Sequence, residues 1–265
     1  MSATNCPYGE IPRYTCRRAP TAADLDGNLD KPFWKNVEQT SVFADLDTGA
    51  RAHLDTRAAL QWDDGGLYIG FWVSDRDVRT LDTGPFIMSR QENAVIVCLA
   101  FSGAIYELGV TPSGAIDSQA LVWKDAYARG GHYDVPEFNL ARLQPYVIDG
   151  FLKPEHARGA RWGFEKWELP GLQAAVRVDG ALNDRRHLDQ GWTAEITLPW
   201  SAMKLLDDKN VLPQRIGTEL RVELGRTEVV EGPGRTATAL WTWARHGSGN
   251  LHVPECYPVV TLGGE

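Results

Sequence analysis

Hydrophobic and polar positions alternate with a period of two along much of the chain, the pattern of half-buried strands. Leu67, Ile69, Phe71 and Val73 alternate against Tyr68, Gly70 and Trp72. The first set predicts a core face, and the second a face that is either covered or an aromatic platform. Ala94 to Phe101 is apolar at nearly every position and predicts a central strand, which Ser102-Gly103 turns into a hairpin with Ile105 to Val110. Further strands are predicted at Ala174 to Val178, Trp192 to Leu198, Leu220 to Leu224 and Val259 to Leu262. Pro199 to Leu206 predicts the one regular helix, with proline at its start. Asp63-Asp64-Gly65-Gly66 predicts a tight turn, and Asp30 a cap for a short helical turn at Pro32-Phe33-Trp34. Residues 1–20, broken by Pro7, Gly9 and Pro12, predict an irregular leader. Residues 121–172, rich in glycine and proline, predict a long irregular insertion within one domain spanning 21–265. Many short strands separated by turns imply an all-β fold, a two-layer antiparallel β-sandwich.

Near the C-terminus, Trp241 and Trp243 fall on one face of a strand, with Leu240, Thr242 and Ala244 on the other. Two indoles beside polar groups suit a sugar platform, and equally suit a core. Ten Trp in 265 residues supply the material for either. The formal charge of −8 argues against a nucleic-acid surface. No apolar run reaches the roughly 20 residues that span a bilayer. The first twenty residues do not resemble a secretory signal, so a cytoplasmic location is the expectation. Of the four cysteines, Cys98 lies in the apolar run and is expected to be a buried hydrophobe. Cys6 and Cys16 would pair only in an oxidising compartment. The sequence leaves oligomeric state open.

An ordered series of short motifs resembles the carbohydrate-binding modules of family 9 and their single-domain relatives. It runs from Leu25-Asp26-Gly27-Asn28-Leu29-Asp30 with Phe33-Trp34 through Leu60-Gln61-Trp62-Asp63-Asp64 and Tyr106-Glu107-Leu108. Gly191-Trp192-Thr193-Ala194-Glu195, Leu198-Pro199-Trp200 and Asn250-Leu251-His252-Val253-Pro254 complete it. The resemblance covers roughly residues 20 to 263. It implies a jelly-roll-like sandwich, often with structural calcium, that binds glycan ends or small sugars between two aromatic side chains with help from an Arg. Those aromatic slots fall here on Arg90 and Leu251, and the Arg slot on Gly109. Other aromatics would have to stand in: Phe86, Trp123, Trp241 or Trp243.

The polar set for a sugar is then Arg90, Glu92, Glu107, Asn250 and His252, whose carboxylate, amide and guanidinium groups match hydroxyls. Glu107 also reads as a solvated strand residue, and His252 as a turn brace. His132 and His246, in glycine-rich loops, are expected to face solvent. For calcium, Asp75 and Asp77, joined by Asp82, offer hard oxygen ligands. The alternative from another class is a glycoside hydrolase or lyase using two carboxylates among Glu107, Glu165, Glu195 and Asp75. A haem-binding relative would need Met88 and His252 as axial ligands. Non-catalytic binding of a glycan or small sugar is the main expectation.

Overall fold

A computed structural model describes residues 6–20, 24–81, 84–85, 91–149, 156–165, 167–209, 212, 215–232 and 234–264. Among the described residues fourteen strands follow in chain order: β1 Arg13–Arg18, β2 Ala44–Asp45, β3 Thr56–Trp62, β4 Gly66–Ser74, β5 Ala94–Ala100, β6 Ala104–Val110 and β7 Ile116–Trp123. Then come β8 Tyr146–Ile148, β9 Arg161–Glu165, β10 Gln173–Asp179, β11 Gly191–Pro199, β12 Glu219–Gly232, β13 Arg235–Thr242 and β14 Val259–Leu262. Two single-turn helices interrupt them, α1 Leu140–Leu143 and α2 Trp200–Met203. No helix of the described residues is long and apolar enough to cross a membrane.

The strands stack as two layers. The smaller sheet runs β10-β11-β4-β3, and the larger runs β14-β12-β5-β6-β7-β9-β8. β1 belongs to both. Its first half lies parallel to β14, with Arg13 opposite Val259, and its end lies parallel to β3, with Arg17 opposite Gln61. Among the described residues every other ladder is antiparallel, as expected for the two-layer antiparallel sandwich. β1 also shows that residues 1–20 are not irregular throughout. Tyr14 and Cys16 alternate inward there against Arg13, Thr15 and Arg17. The insertion is likewise partly regular, since β8 and β9 extend the larger sheet to its edge.

Inner faces interdigitate as the alternation requires. Leu67, Ile69, Phe71 and Val73 of β4 meet Val95, Val97 and Leu99 of β5 in one core. Trp241 and Trp243 belong to this core as well, 4 % and 8 % exposed. The predicted sides of β13 are right, but the indoles are not an open shelf. Trp243 packs edge-on to Tyr14 at 5.8 Å, and Trp241 edge-on to His53 at 4.8 Å. Alternation separates two faces without saying which one the second sheet covers.

An ionic pin crosses the core. Arg226 of β12 donates to the Ser74 carbonyl (2.8 Å), Asp75 (3.0 Å) and Glu228 (2.6 Å), with its guanidinium over Trp241. Burial pushes the Glu228 carboxyl up, against the pull of Arg226. Outside the core, Glu231 is bracketed by Arg185 and Arg79, whose hydrogen bonds lower its pKa to about 2. A depressed carboxyl stabilises the fold above its ordinary value of 4.5 and loses that contribution as pH falls toward 2. Glu231→Gln is therefore expected to flatten the acid limb of a melting-temperature profile between those values. An unchanged limb would show that the bracket contributes nothing.

A second satellite core covers part of the smaller sheet. Leu29, Phe33 and Trp34 pack on Ala59 and Tyr68. Buried Glu195 of β11 organises the segment that carries them. It accepts from the backbone N–H of Asp26 and Gly27 (both 3.2 Å), from Lys31 Nζ (2.8 Å) and from Trp34 Nε1 (2.8 Å). A carboxylate with four donors is satisfied despite its burial. This spends Glu195 on structure.

Candidate functional site

The outer face of the larger sheet carries a polar row where an ordinary sandwich would show scattered solvated residues. Register places Glu223, Cys98, Glu107, Gln119 and Glu165 side by side across β12, β5, β6, β7 and β9. The segment 244–257 lies over this row and seals much of it. Glu107 is fully buried and is not a solvated strand residue.

At the centre, Glu107 Oε2 accepts from Gln119 Nε2 (2.7 Å) and from His252 Nε2 (2.8 Å). On the other side of the imidazole, Arg161 Nη2 donates to His252 Nδ1 at 3.2 Å. A guanidinium only donates, so Nδ1 accepts and the ring proton sits on Nε2, facing the carboxylate. His252 is thus a neutral relay between a cation and an anion. Asn250 fixes its backbone, accepting from the His252 N–H at 3.0 Å. Gln119 is oriented in turn by the Tyr146 hydroxyl, which donates to its Oε1.

Arg161 lies over the Trp123 indole, 5.0 Å from its centroid, and burial lowers its pKa. Its Nε–H has no hydrogen-bond partner among the described residues. The rim is more open: Tyr146, His156 and Glu255 are half-buried and Arg158 is exposed. His156 accepts from the Arg158 N–H at Nδ1 (3.1 Å), so its Nε2 donates to Glu255 (3.0 Å), and that bond holds the Glu255 carboxyl below its usual range.

A parallel pair braces the cover. Glu223 Oε1 accepts from the N–H of Leu224 and Ala244, and Oε2 meets His246 Nε2 at 2.8 Å. His246 Nδ1 must donate to the Asn250 carbonyl (3.1 Å), so a single proton is shared between Nε2 and Glu223. Burial raises the Glu223 carboxyl, which favours that sharing. His246, expected in solvent, is completely buried. His132 is exposed, as its loop suggested. Below the cover, Cys256 is bonded to Cys6, while Cys16 and Cys98 are free and buried. The Cys6–Cys16 pairing is therefore replaced by one spanning 250 residues.

Four expected ligand residues, Glu107, Trp123, Asn250 and His252, come together here. Glu92 does not join them: its oxygens accept from the N–H of Leu81 and Asn93 and hold a loop. Trp241 and Trp243 lie in the core, and Phe86, Arg90, Asp82 and Met88 fall outside the described residues. Gln119, Tyr146 and Arg161 were not anticipated. Gln119 becomes visible once β6 and β7 are paired, because it sits directly opposite Glu107.

The calcium expectation meets a different chemistry. Asp75 bonds Arg226 and the Asp77 N–H, while Asp77 faces Arg79 (3.0 Å) and Arg185 (3.2 Å). Among the described residues no group of three or more His, Cys, Asp or Glu is placed to hold a metal ion. Carboxylates already facing guanidinium groups do not fit a calcium shell, which needs six to eight oxygens.

No family model matches the chain, and no curated protein sequence does. Solved structures do match in fold. A protein from Bacteroides uniformis assigned to carbohydrate binding aligns with TM-score 0.63 and 11 % identity, over 97 % of this chain and all of its own. A family 9 carbohydrate-binding module from Caldicellulosiruptor kristjanssonii, solved with cellotriose, aligns with TM-score 0.55 and 15 % identity over 96 % and 94 % of the two chains. The same organism's module with glucose gives TM-score 0.53 and 14 % identity over 95 % and 96 %. The chain therefore has the all-β sandwich fold of the family 9 carbohydrate-binding modules.

Proposed function

We propose that this protein binds a carbohydrate without cleaving it, on the outer face of its larger sheet. The observation that carries this reading is Arg161: a buried guanidinium seated on an indole with an unspent N–H. Around it stand a tyrosine, an amide, a carboxylate and a neutral histidine in fixed orientations. Buried donors without partners are unfavourable in isolation, and an oxygen-rich ligand relieves them. Similar folds solved with glucose and cellotriose support the same ligand class.

Holding is favoured over cutting because the nearby carboxylates are committed. Glu107 serves Gln119 and His252, and Glu255 serves His156. A hydrolase would need two carboxyl groups free to flank one bond.

The test is an array of neutral oligosaccharides followed by calorimetry on the hits. Wild type is expected to bind and to return the glycan intact. Arg161→Gln is expected to bind at least tenfold more weakly, about 1.4 kcal/mol. Shortened or unsaturated product would favour the catalytic alternative, and an array without signal would end the proposal.

The Cys6–Cys256 bond also bears on location. Such bonds persist in oxidising compartments and are rare in cytosol. It supports a site of action outside the reducing cytoplasm, against the expectation from the first twenty residues.

A further inference from the structure

The smaller sheet carries a separate cleft, on the opposite side of the sandwich from the Arg161 cluster. It encloses about 460 Å³ between the outer faces of β4, β10 and β11 and the turn at residues 28–30. That volume lies within the roughly 300–1,000 Å³ of small-molecule sites.

Register sets its floor. Trp72, Thr193 and Arg177 form one row across the three strands, and Ser74, Gly191 and Asp179 form the next. Trp72 is half-buried, and its ring meets Trp34 edge-on at 6.3 Å, so the indole is held by packing. Gly191 interrupts the second row. It has φ +144°, and a Cβ there would run into the Val73 carbonyl, so no other residue fits without strain. The rim is equally fixed. Glu195 ties down the turn from Asp26 onward, the Asn28 carbonyl oxygen of the side chain accepts from the Asp30 N–H, and Thr193 Oγ1 donates to the Gly27 carbonyl.

The walls, by contrast, are uncommitted. Among the described residues, the side chains of Asp30, Ser74, Arg177, Asp179 and Gln190 make no hydrogen bond or ion pair. Two carboxylates and one guanidinium leave the cleft with net charge −1, which disfavours phosphate, sulfate or an acidic peptide. Donors and acceptors converge instead beside one fixed ring, the requirement for a neutral cyclic polyol. The fixed ring and rim lower the ordering cost of binding.

We infer that this cleft is a second saccharide site, with Trp72 as the platform and Arg177, Asp179 and Asp30 as the hydroxyl-binding groups. The protein would then engage two glycan segments from its two faces and gain avidity on a polymer. The inference does not rest on the Arg161 cluster.

The experiment compares wild type, Trp72→Ala, Arg177→Ala and Arg161→Gln on an array of neutral oligosaccharides that includes cellotriose, with calorimetric stoichiometry on each hit. Wild type is expected to bind two ligands per chain. Trp72→Ala and Arg177→Ala are each expected to remove one, or to weaken it at least tenfold, while retaining the other. Arg177 is exposed, so its variant reports on binding even if Trp72→Ala unfolds. Binding lost only in the two cleft variants would sustain this site and remove the Arg161 proposal. Binding lost only in Arg161→Gln, with stoichiometry of one in wild type, would overturn the second site and keep the first. An array without signal would overturn both.

Discussion

Arg226→Met is expected to destabilise the fold by about 3–5 kcal/mol, the cost of breaking a buried ion pair by removing one partner. Asp75 and Glu228, 3 % and 8 % exposed, would be left facing each other without the guanidinium that bonds both. The loss has a second part. Arg226 is the polar link between β12 and the end of β4, through the Ser74 carbonyl and Asp75. Without it, the hydrogen bonds to Thr56, the Ser74 carbonyl and Asp75 that tie β12 to the smaller sheet are lost. Chemical denaturation measures the change, and Asp75→Asn with Glu228→Gln in the Met background should recover part of it. A change below about 1 kcal/mol would show that the two acids simply take up protons at little cost.

Removing the disulfide, by Cys256→Ser together with Cys6→Ser or by reduction, is expected to cost about 2–5 kcal/mol. The bond closes a loop of 250 residues in sequence, so it restricts the unfolded chain strongly. It also anchors the short turn Pro254–Cys256, directly after the segment in which Asn250 holds the backbone of His252 and His252 meets Glu107. Reduced protein should therefore lose affinity for a ligand of the Arg161 cluster while keeping the cleft at Trp72. Melting temperatures and calorimetry with and without dithiothreitol distinguish these effects. Equal losses at both sites would mean a general loosening of the sandwich.

The strands of the central sheets were legible because each side-chain set repeats cleanly: Leu67 to Val73 inward, and Trp192 to Leu198 with Ala194 and Ile196 between them. β9 was not, for a specific reason. It lies within the glycine- and proline-rich stretch 121–172, and its Gly163 is a strand residue at which a Cβ would run into the Tyr146 ring. A glycine chosen for a neighbour's ring looks the same in sequence as one chosen for a turn. Arg161 was hidden with it. β1 was obscured by the prolines around it and by arginines on its outward positions. Glu107 and His252 were visible as candidates, but the relation between them is a product of β5–β6–β7 pairing and of a cover segment 145 residues away. Cysteine spacing carried no information on which pair would meet.

The position of β1 governs when this architecture can be completed. Its ladder partner β14 spans Val259–Leu262, so the junction of the two sheets cannot close until the chain has been synthesised past that strand. Until then Tyr14 and Cys16 lack their β14 neighbours, and Cys6 lacks Cys256, its partner in the fold. A chain synthesised only as far as residue 258 therefore carries an open seam between its sheets, which exposes it to aggregation until β14 arrives.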